Sequence, residues 1–294
     1  MKHAKILVGC LAILFAAMPT EASLIWAVDN LGEFHGGTVG DRIIRFDSAT
    51  PGAVTVVGDT GAEDILMTGL DFDATGTLYS YGWDSFGTQR GLFTINQSSG
   101  AATLVGAGGV SPNYFIDDLS YDPSTNTLYA VANYFFNVRP CQLYTINMSS
   151  GAASLVGDIA GTIGASCIGL ATNSAGVRYL HDTVGDRMFS LSGLTASPML
   201  MPEGFDSLYS QGMTIDRSSG VWYHGALNNT TQRSELWTVN PVNGAGTLVG
   251  NIGGFNSGSG FTEFETGDIA IFPEPATGVL LLLALAGLSR RPKR

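Results

Sequence analysis

Lysine is missing from the whole stretch between Ser23 and Phe272. That stretch carries eight arginines against 23 acidic residues, a net charge of −15 with histidine neutral. Such a surface repels phosphate backbones, which excludes nucleic acid as a partner. Histidine is scarce as well. His3, His35, His181 and His224 are scattered, and none has the spacing of a metal-ligating pair. Of the three cysteines, Cys10 falls in an apolar run near the start, which leaves Cys141 and Cys167. With no histidine nearby these two do not make a metal site. They either form a disulfide, in a compartment where oxidation is allowed, or stand as two separate buried thiols. Helix-like apolar spacing is also rare, while glycine is abundant at 39 residues. Strands and turns should therefore dominate. Nothing marks a cofactor site, a metal site or a catalytic constellation.

What the sequence does have is two distinctive ends. Lys2 and Lys5 precede the apolar run Ile6 to Ala17, and Thr20, Glu21 and Ala22 follow it. A basic region, an apolar region and a small-residue site predict a secretion signal over residues 1–22, cleaved after Ala22. A lipoprotein signal at Cys10 does not fit, because cleavage there would leave most of the apolar run on the mature side. At the other end, Pro273, Glu274 and Pro275 precede the apolar run Ala276 to Leu288, which is followed by Arg290, Arg291, Lys293 and Arg294. As a helix that run would span roughly 20 Å against a hydrocarbon core of about 30 Å. Such a segment is marginal as a permanent membrane anchor and suits a temporary one. Basic residues beside both apolar segments place both ends on the cytoplasmic side and send the middle outward.

The order Pro-Glu-Pro, short hydrophobic helix, arginine cluster over residues 273–294 resembles the PEP-CTERM sorting signal of Gram-negative bacteria. That resemblance implies a transient partner, an exosortase-type membrane transpeptidase, and processing near Pro273 to Pro275. It also implies an inner-membrane-anchored precursor, then delivery to the cell surface or outside, in bacteria that commonly make exopolysaccharide.

Between the ends the chain repeats itself, and the repeats point to an architecture. The 15 residues Leu92 to Gly106 recur as Leu143 to Gly157 and Leu236 to Gly250, each ending in Leu-Val-Gly. Ile43 to Gly58 is a fourth copy with one insertion, and Arg187 to Met201 is a degraded fifth. The glycines at 58, 106, 157 and 250 lie 48, 51 and 93 residues apart, the last being two periods. A second motif repeats with the same period, at Gly69 to Tyr79, Asp118 to Tyr129, Gly169 to Tyr179 and Gly212 to Tyr223. Each unit thus holds four short strands, A to D. Asp73, Asp122, Asn173 and Asp216 open the A–B turns, where an Asp or Asn side chain hydrogen-bonds the turning backbone. Strands such as Thr127 to Ala132 are apolar on both faces, so each sheet should be sandwiched between neighbours. Ser23 to Asn30 resembles a B strand and Gly267 to Phe272 an A strand, so the two half-units complete one blade. The expectation is an all-β, five-bladed β-propeller over residues 23–272, closed by pairing of the N-terminal and C-terminal strands, with a C-terminal hydrophobic helix beyond it. An open β-solenoid is the structural alternative.

In a propeller the B–C and D–A connections share one face, and here they are the long, varied ones. They carry Phe34, Trp83, Phe86, Tyr114, Phe115, Tyr134, Phe135, Phe136, Phe205, Tyr209 and Phe255, with His35 and Phe261 beside them. Varied loops on a rigid scaffold are where binding is usually placed, and exposed aromatic rings suit stacking on sugars. The alternative is that the rings fold inward as small clusters beneath the loops. The expected function is a noncatalytic exported propeller that binds or scaffolds extracellular polysaccharide or a surface protein. The rival is a secreted glycan-cleaving enzyme, which needs two carboxylates roughly 5 to 9.5 Å apart across a pocket. Glu63, Asp64, Asp117, Asp118, Glu263, Glu265 and Asp268 lie near the starts of A strands, within reach of the channel mouth, but solubility and loop hydrogen bonds explain them equally well and no spacing singles out a pair. Asn96, Asn147 and Asn229 match a glycosylation pattern, which the bacterial source implied by the tail's resemblance makes incidental.

Overall fold

The structure is a computed structural model and describes residues 22–30, 41–84, 90–135, 138–199, 206–256 and 261–272. Residues 1–21 of the expected secretion signal, and the expected sorting tail and hydrophobic helix over 273–294 with Pro273, Glu274, Pro275, Arg290 and Arg291, lie outside the described residues. Five four-stranded antiparallel sheets make a five-bladed β-propeller, with no helix among the described residues. Blade one holds β1 (Leu24–Asp29), β2 (Arg42–Asp47) and β3 (Thr55–Asp59). Blade two runs through β4 (Leu66–Phe72), β5 (Leu78–Trp83), β6 (Arg90–Ile95) and β7 (Ala102–Gly106). Blade three has β8 (Tyr114–Asp122), β9 (Thr127–Tyr134), β10 (Gln142–Ile146) and β11 (Ala153–Asp158). Blade four has β12 (Cys167–Thr172), β13 (Arg178–Asp182), β14 (Arg187–Ser192) and β15 (Thr195–Pro198). Blade five has β16 (Ser207–Ile215), β17 (Trp222–Asn228), β18 (Arg233–Val239) and β19 (Gly246–Asn251). A small hairpin of β20 (Phe255–Asn256) and β21 (Phe261–Thr262), which the repeats do not foretell, precedes β22 (Thr266–Ile271). β22 pairs antiparallel with β1, with Trp26 opposite Ala270 and Ala27 opposite Ile269, so blade one has the order β22-β1-β2-β3.

The hairpins form for the reason the repeats suggest. Asp73 Oδ1 accepts the backbone N–H groups of Thr75 and Thr77. Asp122, Asn173 and Asp216 accept the equivalent N–H of Ser124, Ala175 and Ser218. The C–D turns use Asn96 and Asn147 in the same way. Strands expected to be sandwiched are buried in the three inner positions of each blade, but the outermost strands are not. Val56, Leu104, Leu155 and Leu248 are exposed, because an outer strand has a neighbour on one side only.

Two kinds of contact join neighbouring blades. At the rim, the Leu-Val-Gly glycine of one blade meets the C–D turn of the next. A Cβ on Gly106 would land on the Ser150 carbonyl, and one on Gly58 on the Ser99 carbonyl. At the axis, buried carboxylates bridge the inner strands. Asp268 on β22 accepts the Leu70 N–H of β4, Asp71 on β4 accepts the Tyr121 N–H of β8 at 2.7 Å, and Asp118 on β8 accepts the Leu170 N–H of β12 at 2.5 Å. Each also accepts the N–H of the residue that follows it, through its second oxygen. From blade five, Arg217 reaches across to Asp71 Oδ2 at 2.5 Å and to the Tyr121 carbonyl at 2.8 Å.

Blade-to-blade packing at the axis is close enough to require glycine at position 212. A Cβ there would collide with Asp268 Oδ1 and stand 2.5 Å from the Asp268 Cα. Overpacking of this kind costs roughly 1–3 kcal/mol, so G212A should melt several degrees below the parent protein. A melting curve superimposable on the parent's would mean that the axis is not packed this way. A second prediction concerns Cys141 and Cys167, which form a disulfide between blades three and four across a separation of 26 residues. Closing a loop of that length stabilises by roughly 3 kcal/mol. Peptide mapping without reductant should return the two cysteines joined, and reduction should lower the melting temperature; separate thiol peptides would contradict the bridge.

Candidate functional site

The inner strands do not pair evenly with their neighbours. Each carries an irregularity near the axis mouth, where extra residues sit opposite the second strand: between Met67 and Leu70, Ile116 and Asp118, Cys167 and Gly169, Ser207 and Gln211, and, opposite Val28 and Asp29, at Gly267. A bulge re-aims the side chain it carries. The bulged residues Thr68, Asp117, Ile168 and Gly267 all line one cavity of about 350 Å³. Its remaining wall comes from Asn30, Leu66, Met67, Trp83, Phe115, Asn133, Tyr134, Phe135 and Ser166. The volume lies near the small end of the range for small-molecule pockets, about 300 to 1,000 Å³.

Hydrogen bonds fix the polar part of the wall. Asn133 donates to Ser166 Oγ at 3.2 Å and accepts the Cys167 N–H at 2.6 Å. Asn30 donates to the Met67 carbonyl at 3.1 Å, and Thr68 to the Ile116 carbonyl at 2.7 Å. Cys167, next to Ser166 in the chain, carries the bridge to Cys141. The aromatic part packs ring on ring. Trp83 and Phe115 have centroids 4.8 Å apart, Phe115 and Phe135 5.7 Å apart, and Tyr134 meets Tyr114 edge-on at 5.3 Å. Phe135 is 64% exposed and forms the rim.

One group in this wall lacks its partner. Asp117 keeps some surface, yet its Oδ2 is sealed from solvent and accepts no hydrogen bond. Burial pushes its pKa up to about 7, and hydrogen bonding from the Asn133 backbone and side chain holds it from rising further. Trp83 Nε1 is likewise buried and donates to nothing. The wall of the pocket therefore holds one unsatisfied acceptor and one unsatisfied donor, both sealed behind its aromatic faces. Beneath it, Asp118 and Asp268 hydrogen-bond each other in full burial. Desolvation raises both well above the usual carboxylate range, and for Asp268 the neighbouring Asp118 charge adds to the shift.

Of the aromatic residues named from the sequence, Trp83, Phe115, Tyr134 and Phe135 come together here. Tyr114, Phe115 and Tyr134 stand on strands and not in loops, because β8 and β9 extend further toward the axis mouth than the turn residues suggest. Tyr114 is buried behind Tyr134 and donates to the Pro140 carbonyl at 3.3 Å. Phe34, His35, Phe86, Phe136 and Phe205 lie outside the described residues, as do the side chains of Tyr209, Phe255 and Phe261 on β16, β20 and β21. Of the seven candidate carboxylates, Asp117 alone lines the pocket. Glu63, Asp64 and Glu263 are exposed, and Asp118, Glu265 and Asp268 are buried. Asn30, Thr68, Asn133, Ser166 and Ile168 went unnoticed in the sequence, where only their place next to an inner strand could have flagged them.

No protein-family model matches this chain, and no curated protein does. Solved structures with a similar fold include a gluconolactonase from Xanthomonas campestris, at 14% identity over 84% of this chain and 79% of that one, with a TM-score of 0.44. A putative 6-phosphogluconolactonase from Bacteroides fragilis matches at 13% identity over 81% of this chain and 83% of its own, with a TM-score of 0.42. An auxiliary nutrient binding protein from Bacteroides thetaiotaomicron matches at 14% identity and a TM-score of 0.44 over 80% of this chain, which spans about half (51%) of that protein's length.

Proposed function

We propose that this protein is an exported, exosortase-sorted propeller that binds carbohydrate in the pocket at its axis mouth, at the cell surface or in an exopolysaccharide matrix. The observation that carries the binding claim is the pocket itself: aromatic walls from Trp83, Phe115 and Tyr134 around one unpartnered carboxyl oxygen. A sugar ring offers an apolar face for stacking and hydroxyl groups for a buried acceptor and donor, so it matches both parts of the wall. The export claim rests on the two chain ends, with their basic and apolar segments and the Pro-Glu-Pro motif. The register between β1 and β22 supports treating the sheet they share as the closure of the ring, which holds the pocket's blades in place.

Removing the Trp83 ring should weaken binding of the preferred oligosaccharide about tenfold or more, a loss of roughly 1.4 kcal/mol or above, while the exposed Val242→Ala change should leave it unaltered. Equal affinity for W83A and the parent in a glycan-array and titration series would place binding elsewhere. For sorting, deletion of residues 273–294 should move the protein out of the envelope fraction on cell fractionation. An unchanged distribution would dispose of the sorting claim and leave the pocket claim standing.

A further inference from the structure

The carbohydrate reading, on which this inference rests, leaves open which sugars the pocket accepts. Its charge pattern narrows the choice. Asp117 is the one acid among the lining residues, and there is no lysine, arginine or histidine among them to neutralise it. Among the described residues the elements packed around it supply no cation either: β5 brings only Tyr79 and Tyr81, and the side chain of Arg90, opposite Trp83 on β6, lies outside the described residues. β22 brings Asp268, with Glu265 just before it; β4 brings Asp71, already engaged by Arg217; β9 brings Tyr134; β12 brings no titratable group beyond the bridged Cys167. Asp118 precedes Leu119 on the same strand as Asp117 and is sealed below the floor. Arg139 lies over the Tyr134 ring, 5.2 Å from its centroid, and is not part of the lining.

A buried carboxylate without a counter-ion is costly, and although Asn133 hydrogen-bonds the Asp117 carboxyl, its Oδ2 accepts nothing from the protein. The surrounding rings add to this. The faces of Trp, Tyr and Phe carry negative quadrupole density that attracts cations and disfavours anions. The pocket thus has the composition of an aromatic cage with an acid in its wall. We propose that it selects sugars bearing a positive charge, such as a hexosamine with a free ammonium group, with the Asp117 carboxylate as the counter-ion. Uronates and other anionic sugars are rejected by the same groups.

Protonation gives the proposal a second signature. A bound ammonium favours the charged carboxylate, so below about pH 7, where burial keeps Asp117 protonated, binding must expel a proton. Affinity for a permanently charged ligand then falls about tenfold for each pH unit below that value and levels off above it. An uncharged sugar shows no such slope.

The test titrates the full-length protein at pH 7 with oligosaccharides of glucosamine, N-acetylglucosamine, glucose and glucuronate. N-trimethylated glucosamine is titrated from pH 5 to 8. The expected result is at least tenfold preference for the free amine, a rising pH profile for the trimethylated sugar, and loss of the preference in Asp117→Asn. Equal or stronger binding of glucose or glucuronate would overturn charge selection and leave the carbohydrate reading intact. Binding of none of these sugars would overturn both. An Asp117→Asn protein that melts like the parent and keeps the amine preference would also overturn it, and the ligand series on the unaltered protein decides the matter if that variant does not fold.

Discussion

The propeller depends on what happens to backbone N–H groups along its axis. The innermost strand of every blade is a sheet edge, and half of its N–H groups point away from its own sheet toward the centre. An outer edge meets water there, but the axis strands are buried, and each unsatisfied donor would cost about 1–3 kcal/mol. Asp268, Asp71 and Asp118 answer this by accepting the N–H of Leu70, Tyr121 and Leu170 from the following blade. A short acidic side chain therefore does at the axis what a neighbouring strand does within a sheet.

That solution has consequences for which residues fit. The Asp268 carboxylate leaves no room for a Cβ at Gly212, and at Gly69 the close approach of the next blade does the same, with the Leu119 nitrogen at 2.5 Å and the Leu119 side chain beside it. Two carboxyls brought together, Asp118 and Asp268, must share a proton to coexist in full burial, whereas Asp71 has Arg217 beside it. The axis is thereby closed beneath the bulged residues, and the space above it becomes a cavity with a floor instead of a channel.

The architecture is legible in the sequence because the physics that builds it is local. Asn96, Asn147, Asp73 and Asp122 make their turns with groups two to four residues away, so the turns recur as visible motifs with a fixed period. Blade-to-blade contacts are not local, and they are where the sequence is mute. Asp118 and Asp268 read as loop or channel-mouth acids although their partners lie 52 and 198 residues away. His181 and His224 read as scattered, yet their rings stand 4.6 Å apart in the core, where burial pushes His181 down to about 4 and keeps it neutral at ordinary pH. The site is legible only in part for the same reason. Trp83, Phe115, Tyr134 and Phe135 announce themselves as aromatic, but the bulges that gather Thr68, Asp117 and Ile168 beside them leave no mark on composition or spacing.

Asp117 is best understood against the other acids of the axis. Asp71, Asp118 and Asp268 each accept two backbone N–H groups, one from their own strand and one from the next blade, so burial is compensated oxygen by oxygen. Asp117 sits one residue away from Asp118 on the same rigid strand, yet its Oδ2 meets no donor. Asn133, which hydrogen-bonds the Asp117 carboxyl, is itself tied to Ser166 and Cys167, so this neighbour is held in place by the adjoining blade. Three of these acids thus have both oxygens satisfied, while Asp117, among the residues that line the cavity, keeps one oxygen unsatisfied, and that is the group through which the proposed ligand would gain its charge contact.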